Sequence, residues 1–367
     1  MDTRVDFLRW LQNDMAFNIL VNLNDPADIV HASGVSRFWR HFVITNELSK
    51  QLFLRKFPQL SNVECIIESK RRSTDTGSLG GAKWELCKKE HSVYASLLQA
   101  LNKSTLSSRS CIEKAVSATS TDNYPLESII KTLIPRDRFN DTGSYWSSAG
   151  QNNPEIPETL IYKLRANVCV ITEVKIQPFE AFFQQGKPIY SAEFVRFRVG
   201  HPNSASIKEK ELVHLPLPLP ADDKFVWTYT SQFFPMVQEN CLQEFKLPEP
   251  ILCIGGFLQI ELSGRVQRQK SDSLFYICVS HVRVIGHPLF PAFDLEILEP
   301  SGNVLLKYYP EALRQTLQKT SDSESNASAR VLTLDEVLWG TDGLAQFEWN
   351  YDYVYDDDEE EEEHMGP

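Results

Sequence analysis

The sequence predicts a multidomain α + β chain, with a small all-α helical domain followed by an antiparallel β-sandwich of the jelly-roll kind. Three observations carry this expectation. Apolar residues recur at helical spacing through roughly the first sixty positions. From Val168 onward, short runs alternate apolar and polar residues between Gly and Pro boundaries. A polar, Gly- and Ser-rich stretch, SKRRSTDTGSLGGAK at 69–83, separates the two regimes.

The helical part can be read turn by turn. In DMAFNILVNL (14–23), Met15, Ile19, Leu20 and Leu23 fall on one face. Asp25 reads as an N-cap, Pro26 as the first helical residue, and Asp28 as an acid in the first turn. Ile29, Ala32 and Val35 continue a buried face. Trp39, Phe42 and Val43 belong to a following helix, and Leu48, Leu52, Phe53 and Phe57 to one more. Past the linker, Trp84, Cys87, His91, Tyr94, Leu98 and Leu101 step by threes and fours, which predicts an amphipathic helix.

The strands follow. VCVITEVKIQPF (168–179) places Val168, Val170, Thr172, Val174 and Ile176 opposite Glu173 and Lys175. EFVRFRVG (193–200), FLQIELSG (257–264) and LFYICVSHVRVIG (274–286) alternate in the same way, and the prolines of 216–250 fall between strands. Phe293, Leu295 and Ile297 suggest one further strand, and PEALRQTLQ (310–318) a short helix. TSDSESNASA (320–329) reads as a disordered loop. The expected segments are 1–60, helical; 61–108, linker and amphipathic helix; 109–290, sandwich; 291–351, C-terminal extension; and 352–367, a disordered acidic tail.

Composition narrows the function classes. The net charge is −12, but Asp352 and the run Asp356–Glu363 carry nine of the negative charges, leaving residues 1–351 at −3. Such a balance lacks the basic face of a nucleic-acid binder. No run is long and apolar enough for a membrane span. The start, MDTRVDFLRWLQNDM, lacks the apolar core of a signal peptide. Seven widely spaced cysteines without a CxxC pair suit reduced, mostly buried thiols in the cytosol or nucleus.

A search for catalytic patterns finds none. GSLGGAKW (77–84) lacks the GKS or GKT ending of a phosphate loop. There is no HExxH, GxSxG or paired-cysteine zinc pattern. Cys278 and His281 are three apart, which on a regular strand puts them on opposite faces. No cofactor or metal is expected, and catalysis by this chain is not.

The run DMAFNILVNLNDPADIVHASGVSRFWRHFVITNELSKQLFLRKFPQL (14–60) resembles the F-box. The matching positions are Ile19, Leu20, Leu23, Pro26, Asp28, Ile29, Val35, Ser36, Trp39 and Arg40, with Leu48, Leu52, Arg55 and Pro58 behind them. Asp14-Met15 stands where that family opens with Leu-Pro. The resemblance implies binding to a Skp-type adaptor and through it to a cullin. Met15, Ile19, Leu20, Leu23, Pro26 and Ile29 would form the adaptor contact, with Val35 and Trp39 as internal anchors. A unit of this size buries little on its own and needs a neighbour.

AVSATSTDNYPLESIIKTLIP (115–135) and YWSSAGQNNPEIPETLIYKL (145–164) resemble the galactose-binding-like jelly rolls, which include discoidin and Doc-type domains. QPFEAFFQQGKPIYSAEFVRFRVGHP (177–202) is similar to a plant F-box group that combines the two domains. In such folds ligands meet the loops at one end, which makes Tyr145, Trp146, Gln151 and Asn152 the candidate ligand loop, with Trp146 alternatively a core residue. Together the two resemblances imply a non-catalytic receptor subunit of a Skp–cullin–F-box ubiquitin ligase that recruits a protein substrate. The alternatives are an F-box lectin binding carbohydrate or glycoprotein, and an F-box scaffold acting outside a ligase.

Overall fold

The computed structural model describes residues 6–68, 79–103, 109–140, 142–203, 224–298 and 303–315. The segments 320–329 and 352–367 lie outside these residues, as does 69–78 of the linker.

Four short helices open the chain: α1 (Asn13–Val21), α2 (Pro26–Val35), α3 (Arg37–Thr45) and α4 (Leu48–Lys56). Proline at the first position of α2 costs no hydrogen bond, because that N–H has no intrahelical partner. The Ser36 side chain caps α3 by accepting from Trp39 N at 3.2 Å. Ala16, Leu20, Ile29, Ala32, Phe42, Val43, Leu48 and Leu52 close one small core with Leu8. Two polar ties hold its edges. Arg55 donates to the carbonyls of Val21 at 2.8 Å and Leu23 at 2.6 Å, satisfying groups that the end of α1 leaves open. Asp6 accepts from Trp39 Nε1 at 2.7 Å and Ser36 Oγ at 3.1 Å.

Val35 departs from the expected buried face and is 64% exposed. Six residues past Ile29, the helix has turned about 240°, well off the stripe formed by Ile29, Val30, Ala32 and Ser33. Stepping by threes holds for one turn and then drifts.

The stretch 61–108 is more than linker and helix. It contributes β1 (Val63–Glu68), and its helix α5 (Leu79–Lys103) begins inside the Gly/Ser-rich run. The expected stripe of α5 is present, but Val93, Tyr94, Ala95, Ser96, Leu97 and Leu98 are all buried in succession. A helix covered all round is packed between layers rather than laid on one surface.

Two six-stranded antiparallel sheets form the sandwich. One runs in the order β6 (Phe225–Thr230), β5 (Ala192–Pro202), β8 (Phe257–Arg265), β3 (Glu158–Leu164), β2 (Ile112–Ala118), with Phe234–Pro235 on β5. The other contains β7 (Gln243–Ile254), β4 (Val168–Glu180) and β9 (Cys278–Pro288), edged by three two-residue ladders. Leu160, Tyr162, Phe197, Ile260 and Leu262 from the first sheet meet Cys169, Ile171, Val174, Ile176 and Val284 from the second. Gly255 (φ 98°) and Gly256 (φ 71°) carry the chain from one sheet to the other, a backbone conformation that a side chain would strain.

The alternation expected along β4 breaks at Thr172. Opposite β9, Gly286 pairs with Ile171 and Ile285 with Glu173, so Thr172 is an extra, bulged residue there, while opposite β7 the unpaired residues are 247–250 of β7 itself. Val174 and Ile176 therefore share the sandwich core with Cys169 and Ile171, while Val168 and Val170 face the opposite way. There they join a second core with Leu252, Ile254, α5, Phe53, Phe57 and two strands that follow the sandwich. Those strands, β10 (Phe293–Leu298) and β11 (Asn303–Tyr308), form a three-stranded sheet in the order β1–β11–β10, with β1 parallel to β11. Residues 310–315 are helical, and 316–318 of the helix expected over 310–318 lie outside the described residues.

Where α4 meets α5, His91 is buried and its Nδ1 lies 2.8 Å from Ser49 Oγ. Burial, and then the charge of Arg40, lower its pKa from 6.5 to about 4. The unfolded chain thus binds a proton in this window that the folded chain refuses. Stability is expected to fall as pH drops from 6.5 toward 4, by at most about 1.4 kcal/mol per pH unit. His91→Gln should flatten that slope in urea melts; an identical slope in the variant would exclude His91 as its source.

Candidate functional site

Two regions carry the residues that the sequence singled out. The first is the helical face. Met15 and Ile19, one turn apart on α1, are 56% and 47% exposed. Leu20 and Ile29 are 3% and 0% exposed, so both side chains are committed to the chain's own core. Leu23 is half-buried against that core, beyond the end of α1, and Pro26 opens α2. Of the expected contact residues, Met15 and Ile19 thus point outward while Leu20 and Ile29 form the inner support. Trp39 packs partly into the core and meets Phe7 edge-on at 5.2 Å between ring centroids.

The second region is the loop end of the sandwich. Arg265 is its organising side chain. Fully buried, it donates through Nη1 to Ser148 Oγ at 2.8 Å and to the carbonyls of Ala149 at 3.1 Å and Phe275 at 3.2 Å. Its Nε donates to the Ile156 carbonyl at 3.2 Å, and Nη2 pairs with the buried Glu158 carboxylate. Burial pushes the Glu158 carboxyl above its usual pKa, with Ser120 and Arg265 acting against it. One guanidinium thus pins the 148–158 loop to the 265–277 loop.

Beside this knot, Tyr145, Glu127, Asp122, Tyr190, Tyr276 and Gln184 line a cavity of about 140 Å³. Tyr145 donates to Glu127 Oε1 at 2.7 Å and stacks on Phe179 with centroids 3.8 Å apart. Tyr276 donates to Asp272 at 2.6 Å. Partial burial raises the carboxyls of Asp122 and Glu127, and each is raised further by a neighbouring acid, Asp272 and Asp122 respectively. Neither forms an ion pair among the described residues. Such a cleft offers aromatic surface and hydrogen-bond acceptors.

The expected ligand loop divides here. Tyr145 lines the cavity. Trp146 is 0% exposed, and its Nε1 donates to the Ser120 carbonyl at 3.1 Å, which makes it a core residue and removes it from the ligand set. Gln151 is half-buried and pairs through its backbone with Phe275, and Asn152 is exposed; neither lines the cavity. Asp122, Glu127, Tyr190 and Tyr276 were not singled out from the sequence, because distant loops bring them together and no local spacing marks them.

The argument that separated Cys278 from His281 also changes. A bulge between Val279 and His281 breaks the alternation of β9. Their partners separate them instead: Ser147 Oγ lies 3.4 Å from Cys278 Sγ, and the Thr132 carbonyl 2.9 Å from His281 Nδ1. Among the described residues no cluster of ligating side chains could hold a metal, and no helix is long and apolar enough to cross a membrane. Cys87, Cys111, Cys169, Cys253 and Cys278 are buried free thiols, and Cys241 is an exposed one.

Removing one partner of a fully buried, multiply bonded pair strands the other. Arg265→Met is expected to cost about 3–5 kcal/mol, and Arg265→Met with Glu158→Gln to recover part of it. A loss below about 1 kcal/mol in denaturant melts would show that the knot is not what holds these loops.

No family model matches this sequence. Among solved structures, the third family 32 carbohydrate-binding module of a Clostridium perfringens family 31 glycoside hydrolase is 11% identical, covers 47% of this chain and 90% of its own, and has a TM-score of 0.31. The N-terminal domain of the single-strand break repair protein XRCC1 is 14% identical over 48% of this chain and 97% of its own, with a TM-score of 0.30. At such scores these likenesses decide nothing about ligand or activity. A curated relative, F-box protein At4g00755 of Arabidopsis thaliana, is 48% identical over 314 residues, spanning 83% of this chain and 82% of the relative. With that identity over that length, and with four helices folded from the segment that resembles the motif, the chain belongs to the F-box protein family.

Proposed function

We propose that this chain is the substrate-recognition subunit of a Skp–cullin–F-box ubiquitin ligase, recruiting a target protein for ubiquitination. The observation that carries the reading is the outward pair on α1. Met15 and Ile19 stay exposed on a small helical unit whose core is already closed by Leu20 and Ile29. Apolar side chains left outside a finished core are suited to a partner, and a few such central residues supply most of an interface's affinity. In this reading Leu20 and Ile29 support the contact from behind, with the half-buried Leu23 beside them.

The chain does no covalent chemistry in such a complex. It holds a substrate lysine near the charged conjugating enzyme, so that transfer runs at a high effective concentration. The loop end of the sandwich, with the 140 Å³ cavity beside Tyr145, would hold the substrate. The role places the chain in the cytoplasm or nucleus.

A second reading, a carbohydrate-binding F-box protein, is favoured by one observation. Tyr145, Tyr190, Tyr276, Asp122, Glu127 and Gln184 combine apolar ring surface with acceptors in one cleft, the chemistry that sugars need. Binding of the full chain on a glycan array, lost on Glu127→Ala, would favour it over protein recognition.

Met15→Glu with Ile19→Glu is expected to abolish co-purification of a Skp-type adaptor while leaving the melting temperature within a few degrees, since both side chains are exposed. Retained co-purification would overturn the ligase reading.

A further inference from the structure

The cleft beside Tyr145 adjoins a larger hollow. An apolar groove of about 700 Å³ shares Glu127, Tyr145 and Phe183 with it. Residues in and around the 3-10 turn Ile129–Leu133, together with Thr142, Gly143 and Ser144, supply the rest of its lining. Leu126, Phe139 and Phe183 are 65%, 61% and 58% exposed, and Ile134 is 36% exposed. Large apolar side chains left so open in one concave surface mark a place where something docks.

Charge narrows what that is. Lys131 and Arg136 line the groove and form no ion pair among the described residues, with Arg136 lying 5.6 Å from the centre of the Phe139 ring. Arg138 is already engaged, since it faces Asp137 at 4.0 Å and lies over Phe182. Glu127, the acid in the lining, accepts from the Tyr145 hydroxyl at 2.7 Å, on the side shared with the cleft. The groove thus sets two uncompensated cations beside apolar walls, on a chain whose net charge is −12.

Such a surface favours acids and disfavours cations, whereas the neighbouring cleft does the reverse. Two cations are few for a nucleic-acid backbone, whose affinity grows with every phosphate neutralised. A stretch of polypeptide that combines large apolar side chains with Asp or Glu satisfies both features together. Its apolar anchors would supply most of the affinity, and its acids the selectivity and the rate of encounter.

We propose that this groove binds a short acidic, apolar peptide segment of the substrate. Large apolar side chains seat among Leu126, Ile134, Phe139 and Phe183, and neighbouring Asp or Glu residues pair with Lys131 and Arg136. The proposal rests on the reading of this chain as a substrate receptor, and it names the class of segment that the receptor takes. The cleft beyond Tyr145 then receives whatever follows that segment.

The test pans a phage-displayed library of random dodecapeptides on the full chain. Enriched sequences should combine Phe, Trp, Leu or Ile with Asp or Glu. The strongest of them, made with a fluorophore, should bind the full chain, and its Kd should rise about tenfold on Lys131→Glu with Arg136→Glu. Phe139→Ser and, separately, Leu126→Ser should weaken it as much; both side chains are exposed, so the melting temperature should hold. Added salt should weaken wild-type binding more than binding by the charge-reversed variant. Enrichment of basic or uncharged peptides, binding that ignores these substitutions, or no enrichment would each overturn the proposal. Association of the chain with itself, abolished by Phe139→Ser, would replace the peptide with a second copy as occupant. Failure of the ligase reading is read elsewhere, on α1: peptide binding without adaptor co-purification overturns that reading alone, and adaptor co-purification without peptide binding overturns this one alone.

Discussion

The structure depends on one pair of strands being buried on both faces. At the start of β4, Cys169 and Ile171 point between the two sheets while Val168 and Val170 point away from them, and on β7 Cys253 faces inward while Leu252 and Ile254 face outward. Each such side chain is worth about 1.5–3 kcal/mol when fully removed from water. The outward set could not contribute that alone. It does so because α5, the end of α4 and the three-stranded sheet of β1, β11 and β10 are laid over it. Sandwich and helices are thus joined by a shared apolar layer rather than by a linker.

The two functional regions are held in place by different means. The helical unit spends Leu20 and Ile29 inward and keeps Met15 and Ile19 outside, and the face proposed for docking is thus backed by a closed core. Preorganisation of this kind lowers the ordering cost of binding. At the far end of β4 the loops share a small core of Phe179, Ala181, Tyr190, Tyr276 and Cys278. They are held by the Arg265 guanidinium, whose donors reach Glu158, Ser148 and three backbone carbonyls. A buried cation is tolerable there because every direction it points meets an acceptor. With the loops so fixed, Tyr145 can stack on Phe179 and present its edge to the cleft and groove together.

Polar and apolar features meet at that end without neutralising one another. The cleft is acidic and ringed with tyrosines, the groove beside it basic and lined by open apolar side chains. A ligand reaching both would need an uncharged or cationic group for the first and an apolar, acidic one for the second.

The main helices and strands were legible in the sequence by itself, because period and turn chemistry are local properties. Asp25-Pro26 started α2 where expected, and the runs at 193–200 and 257–264 became β5 and β8. The F-box resemblance was legible for the same reason, being carried by one contiguous stretch. Local patterns failed wherever a distant neighbour decided the outcome. Val35 left the buried face because six residues past Ile29 the helix has turned away from it; Thr172 bulged against β9 and reversed the faces of β4. β1 was not legible, since a six-residue strand is recognisable only by β11, which joins it from the other end of the chain. Which apolar residues are core and which are surface, and which loops share a site, is a question of what lies across from them. Only the tertiary structure decided it.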